Sequence, residues 1–461
     1  MIDLSEIVKA YDVRGLVGQQ LTAEVARAIG AAFVTVTGAR RLVCARDMRD
    51  SGPTLLAAFA EGATSQGADV IDIGLASTDL LYFASGQLDL PGAMFTASHN
   101  PARYNGIKLC RSGAQPIGSE TGLEEIRDTA QRYLQAGLPE PATQPGGVTE
   151  QDLLLDYARY LRGLVDLSGS RPLTVVVDAG NGMAGYTVPA VLGDAALEPL
   201  PLTIVPLYFE LDGSFPNHEA NPLDPANLVD LRQAVVAAKA DLGLAFDGDA
   251  DRCFVIDAAG DAVSPSAVTA LVAVRELAKA PGAPVIHNLI TSRAVPEIIA
   301  EHGGKPVRTR VGHSYIKAEM ASTGAVFGGE HSAHYYFRDF WRADTGMLAA
   351  MHVLAALGEQ PLPLAELTAR YDRYRSSGEI NSEVPDQAAK IAEVAAHFAD
   401  RIVEQDELDG LTLLFDDGSW LNVRPSNTEP LLRLNVEGPD EQAMAALRDE
   451  ALSVIRPGSR S

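Results

Sequence analysis

The fold is decided by residues 41–98, RLVCARDMRDSGPTLLAAFAEGATSQGADVIDIGLASTDLLYFASGQLDLPGAMFTAS. The short apolar runs at 41–47, 68–75 and 92–98 have the composition of strands. An Ala-rich segment that begins near Ser51-Gly52-Pro53 predicts a helix between the first two strands. Strands that alternate with helices are typical of α/β layering. The sequence therefore predicts a mixed α/β domain in this region.

The same alternation continues along most of the 461 residues and changes after the Pro-marked segment near residue 363. Beyond that point a helix at 386–400, three short strands and a last helix indicate a smaller α+β domain. A chain of this length is expected to form three or four domains. We predict three similar α/β domains and a smaller C-terminal α+β domain, with the boundaries 1–150, 151–256, 257–364 and 365–461.

Composition excludes several classes of function. The chain has 61 acidic and 37 basic residues, a net charge of −24, so its mean field repels nucleic acid and anionic lipid. The three cysteines are an odd number, which favours free thiols in a reducing compartment. The first residues lack a secretory pattern, and no run of about 18 apolar residues occurs. We expect a cytoplasmic protein without a nucleic-acid or membrane partner, whereas the sequence does not specify its oligomeric state.

A first candidate site lies in PGAMFTASHNPARYNGIKL, residues 91–109. Ser98 ends an apolar strand, and His99 and Lys108 follow it. Ligands bind beyond the strand ends of open α/β sheets. A serine there can act as a nucleophile or carry a phosphoryl group, and the two basic side chains can offset the charge of a bound anion. The alternative is a polar turn in which Ser98 and Asn100 cap the chain.

A second candidate site is the loop LAFDGDADRC, residues 244–253. Asp247, Asp249 and Asp251 alternate with small residues, so a tight loop can direct three carboxylates to one point, and Arg252 follows directly. Converging carboxylates repel one another without a cation, which favours a hard divalent ion such as Mg²⁺. The downstream Gly and Glu of an EF-hand are missing. The alternative is a solvated acidic turn.

A third candidate is VFGGEHSAHYYF, residues 326–337. If this segment is extended, Glu330, Ser332 and His334 point in the same direction. A carboxylate beside a serine suits the recognition of sugar hydroxyls. The alternative is an edge strand whose aromatic residues pack in a sheet.

A fourth candidate is NVRPSNTEPLLR, residues 422–433. Arg424, Ser426, Asn427 and Thr428 bring a guanidinium, two hydroxyls and turn amides together, which is a cradle for phosphate. The alternative is a turn bounded by prolines. Weaker signals are the arginines of YDVRG (Tyr11, Arg14) and ARDMRDSG (Arg46, Arg49), and His313 four residues before Lys317.

In chain order the motifs are TASHNP, DGDADR, GEHS and RPSNTEP, and this set resembles the α-D-phosphohexomutase superfamily over the whole chain. The resemblance implies a four-domain enzyme in which each domain donates one loop to a central cleft. It also implies that Ser98 is a phosphoserine and that Asp247, Asp249 and Asp251 bind Mg²⁺ together with an oxygen of that group. By the same resemblance Glu330 and Ser332 recognise the sugar, and the RPSNTEP loop (Arg424, Ser426, Asn427, Thr428) holds the phosphate that is not transferred.

Within the superfamily, Asn427 and the segment RVGHSYIK are similar to the phosphomannomutase/phosphoglucomutase branch, because phosphoglucosamine mutases usually carry Gly at this Asn. His331 and Ala333 stand where the branch more often has Met and Gly. The resemblance implies an isomerase that interconverts hexose 6- and 1-phosphates, with hexose 1,6-bisphosphate as intermediate and activator. Tyr11 and Arg14 are expected to contact substrate.

The sequence leaves proton transfer to Lys108, His99, His313 or His334, with Arg252 as a positioning cation. The alternatives are a phosphoglucosamine mutase, a Mg²⁺-dependent sugar phosphatase that uses the same serine, and a non-catalytic binder of sugar phosphates. Retention of the serine, the three aspartates and the phosphate cradle argues against the binder.

Overall fold

The computed structural model describes residues 3–426 and 431–456. The chain packs as two compact units. The first comprises the described residues up to Pro265 together with Ser332–Leu367, and the second comprises Ser266–His331 together with the described residues from Thr368 onward.

The first domain is a seven-stranded sheet with helices packed on it. Its strands are β1 (Val13–Leu16), β2 (Arg41–Arg46), β3 (Asp69–Leu75), β4 (Gly92–Phe95), β5 (Tyr104–Arg111), β6 (Gln115–Pro116) and β7 (Val148–Glu150). Its helices are α1 (Ala23–Thr37), α2 (Gly52–Ser65), α3 (Thr78–Leu88) and α4 (Leu123–Ala136). The strand order is β1-β5-β4-β2-β3-β7, with β6 paired to β5. The strands β2, β3, β4 and β7 are parallel, whereas β5 is antiparallel to β1 and β4.

The segment 138–147 looks like a linker in sequence but packs against this sheet. The amide of Gly146 donates to the carbonyl of Thr64 at 2.9 Å, and β7 then pairs with β3. A Cβ at Gly146 would lie 2.0 Å from the carbonyl oxygen of Ala68. Glycine is therefore required here by close backbone approach.

The second sheet carries the acidic loop. Its strands are β8 (Leu173–Asp178), β9 (Leu202–Leu207), β10 (Leu242–Phe246), β11 (Cys253–Asp257) and β12 (Ala262–Val263), and its helices are α5 (Leu154–Leu164), α6 (Ala184–Val191) and α7 (Val229–Ala238). The order is β12-β11-β10-β8-β9. Because β10 and β11 are antiparallel neighbours, residues 247–252 form a tight connection between two strongly buried strands.

In the second unit, three parallel strands follow the order β14-β13-β15. They are β13 (Pro284–Asn288), β14 (Lys305–Thr309) and β15 (Phe327–Gly329), and the helices beside them are α8 (Pro265–Lys279), α9 (Ala294–Glu301) and α10 (His313–Thr323). The chain then contributes to the first unit a hairpin of β16 (Tyr335–Phe337) and β17 (Ala343–Asp344), followed by the buried helix α11 (Gly346–Gly358). The short helix α12 (Leu364–Ala369) precedes the C-terminal domain.

The C-terminal domain is an antiparallel sheet in the order β18-β22-β21-β20-β19. Its elements are β18 (Arg375–Glu383), α13 (Gln387–Phe398), β19 (Ile402–Asp406), β20 (Leu411–Phe415), β21 (Trp420–Pro425), β22 (Leu431–Gly438) and α14 (Glu441–Ile455). The three predicted strands and both predicted helices are confirmed. The edge strands β18 and β19 were not predicted.

Helices α1 and α2 approach so closely that each needs a glycine at the contact. A Cβ at Gly30 would lie 2.1 Å from the carbonyl oxygen of Phe59, and a Cβ at Gly62 would lie 2.0 Å from that of Arg27. The two helices share a core with α4 and the first sheet. A side chain at either glycine must therefore push the helices apart.

We predict that Gly30→Ala destabilises the protein by about 3 kcal/mol, the upper range for overpacking. The matched control is Gly163→Ala in α5, where a Cβ meets nothing within 4 Å. This control should gain about 0.5–1 kcal/mol from helix propensity. Urea unfolding followed by circular dichroism measures both variants. An unchanged midpoint for Gly30→Ala would contradict the packing argument.

Candidate active site

Ser98 lies three residues beyond the end of β4 and has left-handed backbone, with φ of 49°. This conformation costs a non-glycine residue about 1–3 kcal/mol and is common at functional sites. The residue is 4% exposed. Its amide donates to Oγ1 of Thr96 at 2.9 Å, and its Oγ donates to Oδ2 of Asp247 at 2.8 Å. The structure therefore brings the first two sequence-predicted loops together.

Arg49 holds the serine loop in place. Its side chain is 1% exposed and forms an ion pair with Asp47 at 3.2 Å. The guanidinium donates to four backbone carbonyls of the loop, those of Ser98 (2.9 Å), Asn100 (2.6 Å), Pro101 (3.0 Å) and Tyr104 (2.9 Å). Burial lowers the pKa of Arg49, and the charge of Asp47 opposes that shift. Arg49, a weak candidate in the sequence, thus holds the serine loop in its conformation.

The acidic loop forms a group that is able to hold a metal ion. Ligand oxygens of Asp247, Asp249 and Asp251 lie within 4.8 Å of one another, and all three residues are buried. The Oδ1 atoms of Asp249 and Asp251 are buried without a hydrogen-bond partner among the described residues. Buried carboxylate oxygens without donors are costly. This donor set fits a hard divalent cation.

Lys108 supplies a positive charge at the same point. Its Nζ lies 2.7 Å from Oδ2 of Asp249 and 2.6 Å from Oδ2 of Asp251. Burial alone would lower the pKa of Lys108, but the two carboxylates outweigh it and raise the pKa well above its ordinary value. Burial likewise opposes ionisation of Asp249, but Lys108 and Thr78 hold its pKa below the ordinary range. Lys108 is therefore a charged partner of the acidic loop.

Arg252 connects the acidic loop to the serine. Its Nε and Nη2 donate to Oδ2 of Asp247 at 2.9 and 2.7 Å, and Nη2 lies 3.3 Å from Oγ of Ser98. The pKa of Asp247 is raised by burial, against the effect of Arg252, and further by Asp251 and Asp249. Ser98 Oγ thus lies between an acceptor and a cation.

His99 is held as a neutral ring. Nη2 of Arg252 lies 2.6 Å from Nδ1 of His99. Because a guanidinium only donates, Nδ1 must accept and its proton resides on Nε2. Burial first, then the charges of Arg252 and Arg14, lowers the pKa of His99 well below its ordinary value.

Arg14 lies beside the serine loop, and its role in substrate binding stays a prediction. It forms an ion pair with Asp12 at 2.8 Å, and it donates to the carbonyl of Ala97 at 3.3 Å and to Oδ1 of Asn100. Tyr11 is half-buried beside Gly118.

Ser332 and His334 lie in the first unit, in a turn. Oγ of Ser332 is 3.1 Å from Nδ1 of His334, and Nε2 of that histidine is 3.7 Å from Oδ1 of Asp251. Ala333 between them has left-handed backbone, with φ of 63°. The extended segment that would align Glu330 with these side chains is therefore not formed, because residues 331–332 form a turn and Ala333 is left-handed.

Glu330 directly follows β15 in the second unit and is 2% exposed. Its Oε1 accepts from the amide of Gly312 at 3.1 Å and from Nδ2 of Asn288 at 3.3 Å. Nδ1 of His331 lies 3.1 Å from the same Asn288 amide. The backbone of His313 begins α10, and its side chain lies outside the described residues.

Arg424 is buried and already has protein partners. It donates to Oδ1 of Asn435 at 2.9 Å and to Oε2 of Glu379 at 2.5 Å. Arg433 lies opposite it in the sheet register, 3.1 Å from Oε1 of Glu379 and 3.2 Å from Oγ of Ser426. Asn427 and Thr428 lie outside the described residues.

Glu379 and Arg433, which contact the fourth candidate loop, were not predicted from the sequence. The only available signal was the position of Arg433 in the next strand, because residues in paired strands face each other across a sheet. His331 Nε2 lies 4.0 Å from Oε2 of Glu379. The third and fourth candidate loops therefore meet within the second unit.

Comparison with known proteins places this geometry in a family. Four models described as phosphoglucomutase/phosphomannomutase match the chain: alpha/beta/alpha domain I at residues 5–136, domain II at 156–260, domain III at 264–374 and the C-terminal domain at 379–454. The chain belongs to the phosphoglucomutase/phosphomannomutase family. The predicted family, fold class and enzyme class, an isomerase, are confirmed, while the exact domain boundaries stay predictions.

Individual relatives match over nearly their full length. The chain is 41% identical to the phosphohexose mutases of Xanthomonas campestris, over 98% of this chain and 99% of theirs. It is 39% identical to a phosphomannomutase of Salmonella typhimurium, over 97% and 98%. A crystal structure of a phosphoglucomutase/phosphomannomutase family protein from Burkholderia thailandensis matches with a TM-score of 0.88 at 34% identity, over 100% and 99%. Within the described residues, no helix has the length and apolar character needed to cross a bilayer.

We predict that Arg49→Lys loosens the serine loop, because an ammonium cannot reproduce the guanidinium fork that reaches four carbonyls. Lost bonds to a buried charge should cost about 3 kcal/mol of stability, and amides 98–104 should exchange faster with deuterium. The control is Arg46→Lys, where a change below about 0.5 kcal/mol is expected. Unaltered exchange in Arg49→Lys would contradict the conclusion that Arg49 stabilises the serine loop.

Proposed function

We propose that this enzyme interconverts the 6- and 1-phosphates of mannose and glucose, with Ser98 as the phosphoryl carrier and a hexose 1,6-bisphosphate as intermediate. The observation that carries the proposal is the setting of Ser98. Its buried hydroxyl donates to Asp247 and lies 3.3 Å from the guanidinium of Arg252, beside a loop of three carboxylates. The names of the relatives, phosphohexose mutase and phosphomannomutase, support the substrate class.

The reaction consists of two phosphoryl transfers in opposite directions. In the first, the phosphoryl group of phospho-Ser98 moves to the free 1-hydroxyl of hexose 6-phosphate, so the serine oxygen leaves and gains a proton while the sugar hydroxyl loses one. In the second, after the bisphosphate has turned over, its 6-phosphoryl group moves to Ser98, which loses its proton while the 6-oxygen of the sugar gains one, and hexose 1-phosphate is released. The added bisphosphate acts as activator because it rephosphorylates any free Ser98.

Positive charge is the main contribution that the protein makes to such transfers, since phosphoryl transfer depends on positioning and electrostatic stabilisation. Arg252 and Arg14 lie next to the serine loop, and Lys108 lies at the acidic loop. Asp247, Asp249 and Asp251 would hold Mg²⁺, which neutralises charge on the transferred group when bound.

The protonation states of Lys108 and His99 bear on which residue could transfer a proton. Lys108 holds its proton between two carboxylates, whereas His99 accepts a hydrogen bond at Nδ1 and has no proton there. The two carboxylates that raise the pKa of Lys108 make its ammonium a weak acid, so Lys108, His99, His313 and His334 all remain candidates for proton transfer.

Sugar and distal phosphate are assigned to the remaining loops. Glu330 and Ser332 are proposed to bind sugar hydroxyls, and the amide of Gly312 fixes the carboxylate of Glu330. The phosphate that is not transferred is assigned to the cradle of Arg424, Ser426, Asn427 and Thr428. We add Arg433 to this cradle, because it donates to Ser426.

A Mg²⁺-dependent phosphatase would need water at the phosphoserine. The names of the relatives, phosphohexose mutase and phosphomannomutase, favour transfer to a bound sugar instead. A phosphoglucosamine mutase differs only in its substrate, so the choice among hexoses is made by assay.

We predict that Ser98→Ala loses mutase turnover by at least a thousandfold while its stability changes by about 1 kcal/mol. Interconversion of mannose, glucose and glucosamine 1-phosphates is measured with and without hexose 1,6-bisphosphate, and intact mass should show one phosphate on the wild type only. The control Ser112→Ala removes a hydroxyl that bonds to the carbonyl of Asp89 and should keep full turnover. Near wild-type turnover in Ser98→Ala, or release of free phosphate as the main product, would overturn the proposal.

We also predict that the enzyme depends on a divalent ion. Chelation with EDTA should abolish turnover and Mg²⁺ should restore it, because three adjacent carboxylates need a cation of strict octahedral preference. Ca²⁺ is larger and less strict in geometry, so it should bind and support little turnover. Full turnover after exhaustive chelation would show that catalysis does not depend on a divalent ion.

A further inference from the structure

Thr78, the first residue of α3, contacts the acidic loop twice. Its amide donates to the carbonyl of Asp249 at 2.9 Å, and its Oγ1 donates to Oδ2 of Asp249 at 2.6 Å. Both residues are fully buried. Backbone and side chain of the same aspartate are therefore fixed by one residue that lies 171 positions away in the chain.

These contacts determine which carboxylate oxygen of Asp249 is left available to bind a cation. Oδ2 accepts from Thr78 and from Nζ of Lys108, whereas Oδ1 is buried and has no hydrogen-bond partner in the described part of the chain. A carboxylate with one oxygen bound to two donors cannot rotate without losing both bonds. The direction in which the free Oδ1 points is thus set from α3.

The start of α3 is itself anchored by the next residue, Asp79. Oδ1 of this carboxylate accepts from Oγ of Ser77, and Oδ2 accepts from the hydroxyls of Tyr157 in α5 at 2.7 Å and Thr345 at the start of α11 at 2.6 Å. Burial raises the pKa of Asp79 to about 6, against the effect of its three hydroxyl donors. Asp79 is 1% exposed, so three segments of the first unit meet at a single buried carboxylate.

We propose that Thr78 is a positioning residue for divalent-cation binding, which it serves by holding Asp249 in the orientation that presents Oδ1 to the ion. This inference rests on the proposed function, because it requires that the acidic loop bind a metal. Partners that orient metal ligands typically contribute 10–100-fold in metal affinity. Thr78 does not itself ligate the ion, so its loss should weaken binding without removing a ligand.

The test measures Mn²⁺ binding to the purified full-length protein by electron paramagnetic resonance, independently of catalysis. Thr78→Val keeps the shape and the amide bond but removes the hydroxyl, and it should raise the Mn²⁺ dissociation constant at least tenfold. Thr78→Ser restores a hydroxyl and should stay within about threefold of the wild type. Thr78→Ala is made in parallel, so that one variant without the hydroxyl remains measurable if the valine is not tolerated.

The control for a buried threonine is Thr129→Val in α4, whose hydroxyl accepts from Arg132 of the same helix and which should bind Mn²⁺ as the wild type does. Asp249→Asn distinguishes a failure of the metal site from a failure of the positioning role of Thr78. If Asp249→Asn loses Mn²⁺ affinity while folded Thr78→Val or Thr78→Ala keeps it, the positioning role is wrong and the metal site stands. If Asp249→Asn also binds Mn²⁺ like the wild type, both are wrong.

Discussion

Mutual repulsion among three buried carboxylates is the constraint on which the first unit depends. Asp247, Asp249 and Asp251 lie within 4.8 Å of one another in a connection between two buried strands. Charges so close in a poorly solvated site are tolerable only with cations and donors around them. Lys108 and Arg252 supply the charge, and each contributes a contact that also fixes a loop.

The consequence is that functional side chains are positioned by one another. The guanidinium of Arg252 contacts Asp247, Ser98 and His99 simultaneously. The guanidinium of Arg49 donates hydrogen bonds to the backbone carbonyls of the serine loop. The left-handed backbone of Ser98 is held by these contacts. A change at any of these cations therefore affects the position of Ser98, even where the cation does not touch a substrate.

The sequence predicted most of the fold and the composition of the site, because strongly apolar strands and alternating carboxylates leave clear patterns. The spacing of Asp247, Asp249 and Asp251 predicts a metal loop, and the structure brings an oxygen of each carboxylate within 4.8 Å of the others, while the ion itself stays a prediction. The edge strands β18 and β19 escaped prediction because their exposed faces are polar, as in RSSGEINSE. Glu379 and Thr78 escaped prediction because their partners are distant in sequence. Arg433 lies only seven residues from Ser426 and escaped because a single polar residue carries no periodic signal. The turn at Ala333 could not be read either, since alanine rarely adopts left-handed backbone.

The bridging ammonium of Lys108 has a consequence for the stability of the acidic loop. Nζ lies 2.7 Å from Asp249 and 2.6 Å from Asp251, so a side chain of the same chain offsets part of the repulsion between these carboxylates. A divalent ion at their Oδ1 atoms would add its charge to that of Lys108 and would not replace it. The loop differs in this respect from small zinc domains, whose ligands depend on the ion alone and which remain unfolded until it arrives.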